Sequence, residues 1–300
     1  MKVIKEYIMN FFNGFCMALA DSVPGVSGGT IAFLLGFYDK FINSLDDLFR
    51  GKLEEKKSAL KFLIKIGIGW VVGFAASATI LSNLFTTKIY LMSSLFIGFI
   101  IAAIPLIIKQ EINCFKGNLK NLVFTVIGIV LVVSITLLNS NTSFNINVTE
   151  FNLFTYIYVF FAASVAITAM VLPGISGSTL LLVFGLYIPI MSAVKSLLTF
   201  DFSVLPILIV FGLGILFGIV FFVKLIRKLL TNYRSIICYT IIGMMLGSLF
   251  SIVMGPTTLS EPLNMLTFSS FSLLFFIIGI VIIAVLEVIR IKLSNVDSVK

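Results

Sequence analysis

Two short segments of the chain carry hydroxyl side chains beside glycine and proline, with apolar sequence on either side. The first runs from Asp21 to Thr30 (DSVPGVSGGT) and the second from Leu172 to Thr179 (LPGISGST). Proline and adjacent glycines do not sustain a helix, so each segment predicts a break between two apolar helices. The helix after each break begins with unsatisfied N–H groups and the positive end of its dipole. This chemistry favours an anion, and phosphate fits it well.

The predicted anion site draws on both breaks and on one lysine. Its substrate-binding candidates are Ser22, Pro24, Gly25, Ser27, Gly28, Gly29, Thr30, Pro173, Gly174, Ser176, Gly177, Ser178, Thr179 and Lys65. The alternative for each hydroxyl is that it only caps its helix. Lys65 lies about one turn into the next apolar segment, where its ammonium either balances the anion or reaches back to the membrane interface.

Asp21 is the one acidic residue in either break, and its counterpart in the second break is Met170. A carboxylate inside a membrane is expensive and usually functional. We therefore predict that Asp21 couples transport to H⁺ or Na⁺. The alternative is that it caps nearby backbone N–H groups.

The composition places these segments in a membrane. Hydrophobic residues make up 59% of the chain and charged residues 11%, with a mean hydropathy of +1.16, whereas a soluble domain is about half apolar and a quarter charged. Histidine is absent, which removes the usual metal ligand and general base. The three cysteines are far apart along the chain and predict neither a disulfide framework nor a zinc site. We expect no metal, no cofactor and no enzymatic activity.

The apolar runs predict an all-α integral membrane protein. Full-length runs, each near the ~20 residues that a spanning helix needs, are Phe62–Phe85, Ile89–Ile108, Leu122–Leu138, Leu205–Val223, Ser235–Met254 and Phe271–Ile289. Tyr7–Ala20 and Thr30–Asn43 are too short to cross alone. The regions around the two breaks therefore predict re-entrant hairpins, and the charged stretch Leu45–Leu60 predicts a short amphipathic or flexible linker.

The chain repeats itself. Pro24–Tyr38 and Pro173–Tyr187 share seven residues, and glycines recur in the same order afterwards, with Gly98 matching Gly243. We predict a first repeat over residues 1–139 (hairpin 7–43, then three spanning helices) and a linker over 140–152. A second repeat follows over 153–291 (hairpin 154–197, then three spanning helices), with a tail over 292–300.

Three crossings per repeat invert the second repeat relative to the first, as in many secondary transporters. With the N-terminus in the cytoplasm, all of the 21 Lys and Arg residues except Lys88 and Lys195 fall on the inner side. This bias obeys the positive-inside rule and predicts cytoplasmic termini. It also accounts for the net charge of +8 without nucleic acid as a partner.

The two break sequences resemble those of the bacterial polyprenyl-phosphate transporter family. The resemblance rests on ADSVPGVSGGT at Ala20–Thr30 and LPGISGS at Leu172–Ser178 and covers nearly the whole chain. It implies a translocase of the bacterial cytoplasmic membrane that returns undecaprenyl phosphate, a polyprenyl phosphate lipid, to the cytoplasmic leaflet for cell-envelope recycling.

Two other classes of function compete with this one. A small-anion channel or transporter would use the same re-entrant loops for chloride or inorganic phosphate. A lipid-phosphate phosphatase is disfavoured by the absence of histidine and of a clustered Arg/Lys motif.

Overall fold

The computed structural model describes residues 2–21, 27–141, 153–174, 177–198, 200–258 and 262–295, and these residues contain helices and no strand. In the first half of the chain the α-helices are α1 (Lys2–Asp21), α2 (Gly28–Leu34), α3 (Tyr38–Arg50), α4 (Leu53–Thr87), α5 (Ile89–Gln110), α6 (Ile112–Phe115) and α7 (Leu122–Asn141). In the second half they are α8 (Leu153–Val171), α9 (Gly177–Val183), α10 (Tyr187–Leu198), α11 (Leu205–Asn232), α12 (Arg234–Met254) and α13 (Leu273–Asn295).

Within the part of the chain that the structure describes, six helical segments are long and apolar enough to cross a membrane. Every predicted span except Phe271–Ile289 coincides with one of them, and that span falls in α13, whose apolar part is Leu273–Val288. The one segment that does not correspond to a predicted span is Leu153–Val171, which was predicted to be part of a hairpin. The all-α membrane architecture is therefore confirmed.

The helices before the two breaks are longer than half-helices. α1 has 20 residues because it begins at Lys2, before the apolar run at Tyr7, and α8 has 19 residues. At 1.5 Å per residue, α1 is about 30 Å long. Its length alone therefore does not prevent it from spanning a membrane, contrary to the prediction made from Tyr7–Ala20.

The segment that follows each break consists of two helices, although the sequence predicted one. Gly36 ends α2 with a φ of 75°, and Gly185 ends α9 with a φ of 66°. This left-handed conformation costs glycine least and commonly terminates helices. The two glycines occupy matching positions of the repeat, so the same bend occurs in both halves.

α1 and α4 run side by side in the same direction. A Cβ atom added at Gly69 would lie 2.0 Å from the carbonyl oxygen of Phe11, and one at Gly73 would lie 2.6 Å from that of Phe15. Glycine at these positions therefore lets the two backbones touch.

α8 and α11 pack in the same way in the second half. A Cβ at Gly214 would lie 2.4 Å from the carbonyl oxygen of Phe160, and one at Gly218 would lie 2.6 Å from that of Ser164. Ser164 Oγ also donates a hydrogen bond to the Gly214 carbonyl at 2.8 Å. The glycines that match in sequence thus make matching helix contacts.

Each of the remaining long helices packs against a long helix of the other half. α5 crosses α13, where a Cβ at Gly98 would lie 2.2 Å from the Phe276 carbonyl oxygen. α7 crosses α12, where a Cβ at Gly243 would lie 2.1 Å from the Thr125 carbonyl oxygen. α12 and α2 are largely buried, whereas α7, α11 and α13 carry many exposed Leu, Ile, Val and Phe side chains.

Candidate anion site at two helix breaks

The two breaks lie against each other. Ser27 Oγ donates a hydrogen bond to the Leu172 carbonyl at 2.9 Å and lies 3.3 Å from the Met170 carbonyl. The same oxygen accepts the N–H of Gly29 at 3.1 Å and so caps α2. Ser27 therefore caps its own helix, as the alternative interpretation proposed, and also joins the two halves of the chain.

Two further contacts hold the breaks together. The Gly174 N–H donates to Thr30 Oγ1 at 2.9 Å, and both groups are buried. A Cβ at Gly29 would lie 2.5 Å from the Val171 carbonyl oxygen. The break of the first half thus fits directly against the end of α8, with no space for a side chain at Gly29.

Asp21 is the last residue of α1, and its carboxylate lies at the start of α2. Its Oδ1 accepts the N–H of Gly28 at 2.7 Å, and its Oδ2 accepts Trp70 Nε1–H from α4 at 3.0 Å. The anion at this helix N-terminus is therefore the carboxylate of the chain itself. Trp70, the only tryptophan in the chain, is a residue that the sequence analysis did not identify, because nothing near it in sequence points to Asp21.

Apart from Lys65, the described candidates lie at the two breaks and at the start of α9. Asp21, Ser27, Gly28, Gly29 and Thr30 gather at the first break, and Pro173, Gly174 and Gly177 lie buried at the second. Thr179 is half-buried at the start of α9, and Ser178 is described only in its backbone. The candidates outside the described residues are Ser22, Pro24, Gly25 and Ser176.

Lys65 is not brought to the breaks. Its Nζ donates to Glu6 Oε1 at 3.1 Å and lies 3.9 Å from the centre of the Tyr7 ring. Glu6 and Asp21 are on one continuous helix, and their separation of 15 residues corresponds to about 22 Å. The ammonium of Lys65 therefore lies at the opposite end of α1 from the predicted anion site.

Charged side chains join the two halves at the ends of α3, α5, α11 and α12. The Arg234 guanidinium donates to Glu111 at 2.6 and 2.9 Å and to Asp39 at 2.8 Å. These hydrogen bonds hold the pKa of the Glu111 carboxyl below its usual value.

A second group of ion pairs joins α11 to α3. Arg227 pairs with Asp46 at 2.8 Å and with Asp47 at 2.6 Å. Leu45–Leu60, for which the sequence predicted a short amphipathic or flexible linker, forms the end of the amphipathic helix α3 and the start of α4, with a bend at residues 51–52.

Two of the three cysteines meet although they are distant in sequence. Cys114 Sγ lies 3.3 Å from Glu111 Oε2, and Cys238 Sγ lies 4.0 Å from the same oxygen. Arg234 already occupies both oxygens of this carboxylate. The cluster therefore consists of two thiols beside an ion pair, an arrangement that the spacing of the cysteines did not predict.

Comparison with known proteins points to one family. Residues 17–267 match the family model described as VCA0040-like, undecaprenyl phosphate translocase-like. The chain is 36% identical over 281 residues to a polyprenyl-phosphate transporter of Staphylococcus aureus, covering 91% of this chain and 94% of that protein. It is 33% identical over 269 residues to a polyprenyl-phosphate transporter of Vibrio cholerae, covering 86% of this chain and 82% of that protein. No solved structure matches the chain.

Proposed function

The chain belongs to the VCA0040-like, undecaprenyl phosphate translocase-like family, and we propose that it moves undecaprenyl phosphate from the outer to the cytoplasmic leaflet of the bacterial cytoplasmic membrane. It acts in this proposal as a transporter and not as an enzyme, and it returns the lipid carrier for further rounds of cell-envelope synthesis. The observation that carries the proposal is the direct contact between the two breaks. Breaks in lipid-exposed backbone are costly, so they persist where protein or a wet cavity satisfies them.

The proposed architecture is a pair of inverted repeats in which α1–α3 and α8–α10 form re-entrant hairpins. The parallel packing of α1 and α4 supports it, because the chain must return between them to the side where α1 begins. α4 extends about 21 Å beyond Gly73, while α1 ends about 5 Å beyond Ala18, which packs on Gly73. The end of α1, where the first break begins, thus lies alongside α4 and not at its far end, as a re-entrant hairpin requires.

The proposed phosphate position is at the starts of α2 and α9, which carry the hydroxyls of Thr30 and Thr179 and the first backbone N–H groups of each helix. Asp21 already holds the N–H of Gly28, so a phosphate oxygen that takes this donor must displace the carboxylate. Two anions at one donor repel each other, which makes simultaneous binding unfavourable.

This competition provides a way to couple transport to an ion. When H⁺ or Na⁺ neutralises Asp21, the repulsion disappears and the start of α2 becomes free for phosphate. When phosphate leaves, the ionised carboxylate returns to the Gly28 N–H. Lipid phosphate and coupling ion then bind together, and an inward ion gradient drives the lipid inward.

Transport by the purified protein in proteoliposomes tests the proposal. We expect uptake of labelled polyprenyl phosphate to exceed uptake of inorganic phosphate or chloride. Gly29→Ala should abolish most uptake, because its Cβ would press on the backbone at Val171 and separate the breaks. Gly67→Ala is the matched control, since a Cβ there meets nothing within 4 Å.

Two outcomes would contradict the proposal. Uptake of chloride or inorganic phosphate at rates above those of the lipid would support the small-anion transporter instead. Normal lipid uptake by Gly29→Ala would show that close contact of the breaks is not required.

A further inference from the structure

A second candidate site lies on the outer face of α1 and α4, away from the breaks. A groove of about 470 Å³ opens there between the two helices. One part of its wall is apolar and consists of Ile8, Phe11, Ile64 and Ile68. Ile8, Ile64 and Ile68 are each more than half exposed, so the groove faces the bilayer and has room for most of one acyl chain.

The other part of the groove is basic and is contributed by Lys61 and Lys65, with Tyr7 beside them. The Lys65 side chain is only 11% exposed and is held by Glu6 and by the Tyr7 ring. Lys61 is exposed one turn earlier on α4. Lys61, Lys65 and Glu6 together carry a net charge of +1, and Lys40, which lies over the Phe62 ring of α4, adds to the positive field at Glu6.

The charge and shape of the groove indicate which kind of ligand fits it. A glycerophospholipid such as phosphatidylglycerol carries one negative charge on its phosphodiester, which matches the net charge of the two lysines and Glu6. Its acyl chain has the apolar wall to lie on, while its headgroup meets the ammonium groups near the membrane surface. A free phosphate ion would leave the apolar wall unused.

We propose that this groove binds an anionic glycerophospholipid of the cytoplasmic leaflet, with its phosphodiester between Lys61 and Lys65. The assignment of the leaflet rests on the orientation proposed above, whereas the binding itself is independent of which lipid the protein transports. Because the bilayer supplies this lipid in great excess, modest affinity is sufficient to keep the site occupied.

The fluorescence of a tryptophan placed in the groove by Ile68→Trp, in a Trp70→Phe background, reports on the groove, because Trp70 itself bonds Asp21 at the first break and residues two apart on a helix do not share a face. This reporter protein, with Glu6, Lys61 and Lys65 intact, is the wild type of the comparisons that follow. The protein is placed in phosphatidylcholine vesicles that contain increasing fractions of phosphatidylglycerol with brominated acyl chains, which quench tryptophan at short range. Brominated phosphatidylcholine gives the reference curve. We expect brominated phosphatidylglycerol to quench the wild type at a several-fold lower fraction than the reference lipid.

Charge variants test the assignment in both directions. Lys61→Gln with Lys65→Gln should shift the phosphatidylglycerol curve to the reference curve, and Lys61→Gln alone should shift it part of the way. Glu6→Gln should move it the other way, because the net charge rises to +2. Lys116→Gln with Lys120→Gln is the matched control, since both lysines are exposed and lie outside the groove, and it should behave as the wild type.

Three results would overturn the proposal. The first is that the two brominated lipids quench the wild type equally. The second is that both lysine variants keep the preference for phosphatidylglycerol. The third is that polyprenyl phosphate displaces brominated phosphatidylglycerol more readily than unlabelled phosphatidylglycerol does. The last result would make the groove an entry or exit point for the transported lipid. Because no transport is measured, failure of the proposed function would leave these readouts unaffected.

Discussion

Asp21 is the residue on which the proposed coupling depends, because its carboxylate holds a backbone N–H that the phosphate also needs. It receives hydrogen bonds from two separate helices, α2 and α4. Each of its two oxygens thus has a donor, as a buried carboxylate requires. The position matching Asp21 in the second half is Met170, so the two breaks differ at the one residue that titrates.

Asp21→Asn removes the charge but keeps the size of the side chain and one acceptor oxygen. We expect polyprenyl phosphate to bind at least as tightly as to the wild type, because no competing anion remains at the start of α2. Uptake driven by a pH or Na⁺ gradient should fall by about tenfold or more, equivalent to 1.4 kcal/mol or more. Proteoliposome uptake with and without each gradient measures the effect.

A suitable control for this variant is Asp201→Asn, since Asp201 is exposed and its carboxylate accepts hydrogen bonds from the nearby Ser203. It should retain wild-type uptake. If Asp21→Asn keeps its gradient dependence, Asp21 is only a cap and the coupling ion binds elsewhere.

At the scale of helices, the glycine crossings give both halves the same construction. Gly98 and Gly243 match in sequence, and each allows its helix to touch a helix of the other half. An alanine at either position would place its Cβ within 2.2 Å of a backbone oxygen. Neither backbone can move without shifting a whole helix.

Gly98→Ala and Gly243→Ala should therefore each lower stability by about 1–3 kcal/mol, which is typical of overpacking. Gly212→Ala is the control, because a Cβ there meets nothing within 4 Å, and it should be neutral or slightly stabilising. Thermal unfolding of the three variants in detergent measures the difference. Equal midpoints for all three would mean that the helices do not cross at these glycines.

Local sequence was sufficient to locate the two breaks and most of the spanning helices, but not the partners of these elements. Gly and Pro mark both breaks, so the breaks could be found from residues close in the chain. The bond from Ser27 to Leu172 joins residues 145 positions apart, and no local pattern encodes such a pairing. Hydropathy also reports only the apolar part of a helix, which is why α1 begins five residues before the predicted start at Tyr7.

At the scale of the whole molecule, ion pairs connect the two halves at their charged end. The sequence assigned these basic residues to one side of the membrane, yet it did not show that Arg234 would pair with Asp39 and Glu111. Such pairs form only when α3, α5 and α12 meet. These ion pairs join the two halves at the charged end of the bundle. The proposed transport cycle requires the two halves to separate at this end.

Arg234→Gln should lower stability at neutral pH by about 1 kcal/mol, a modest effect because Arg234 is 38% exposed. The pKa of Glu111 is lowered by Arg234, so its contribution is present above the ordinary carboxyl range and is lost as pH falls through the lowered pKa. The difference between wild type and variant should therefore shrink in acid. Lys57→Gln, whose pair with Glu54 is exposed, should show no difference at either pH.

The proposed orientation of the molecule rests on its charges, and it can be tested with two cysteines. Ser58 and Ser269 are both exposed, and the positive-inside bias predicts that Ser58 is cytoplasmic and Ser269 is outside. In a variant without Cys16, Cys114 and Cys238, we expect an impermeant thiol reagent to label Ser269→Cys in intact cells. Ser58→Cys should react only after the membrane is permeabilised. Labelling of Ser58→Cys in intact cells would reverse the orientation, and the lipid groove at Lys61 and Lys65 would then face the outer leaflet.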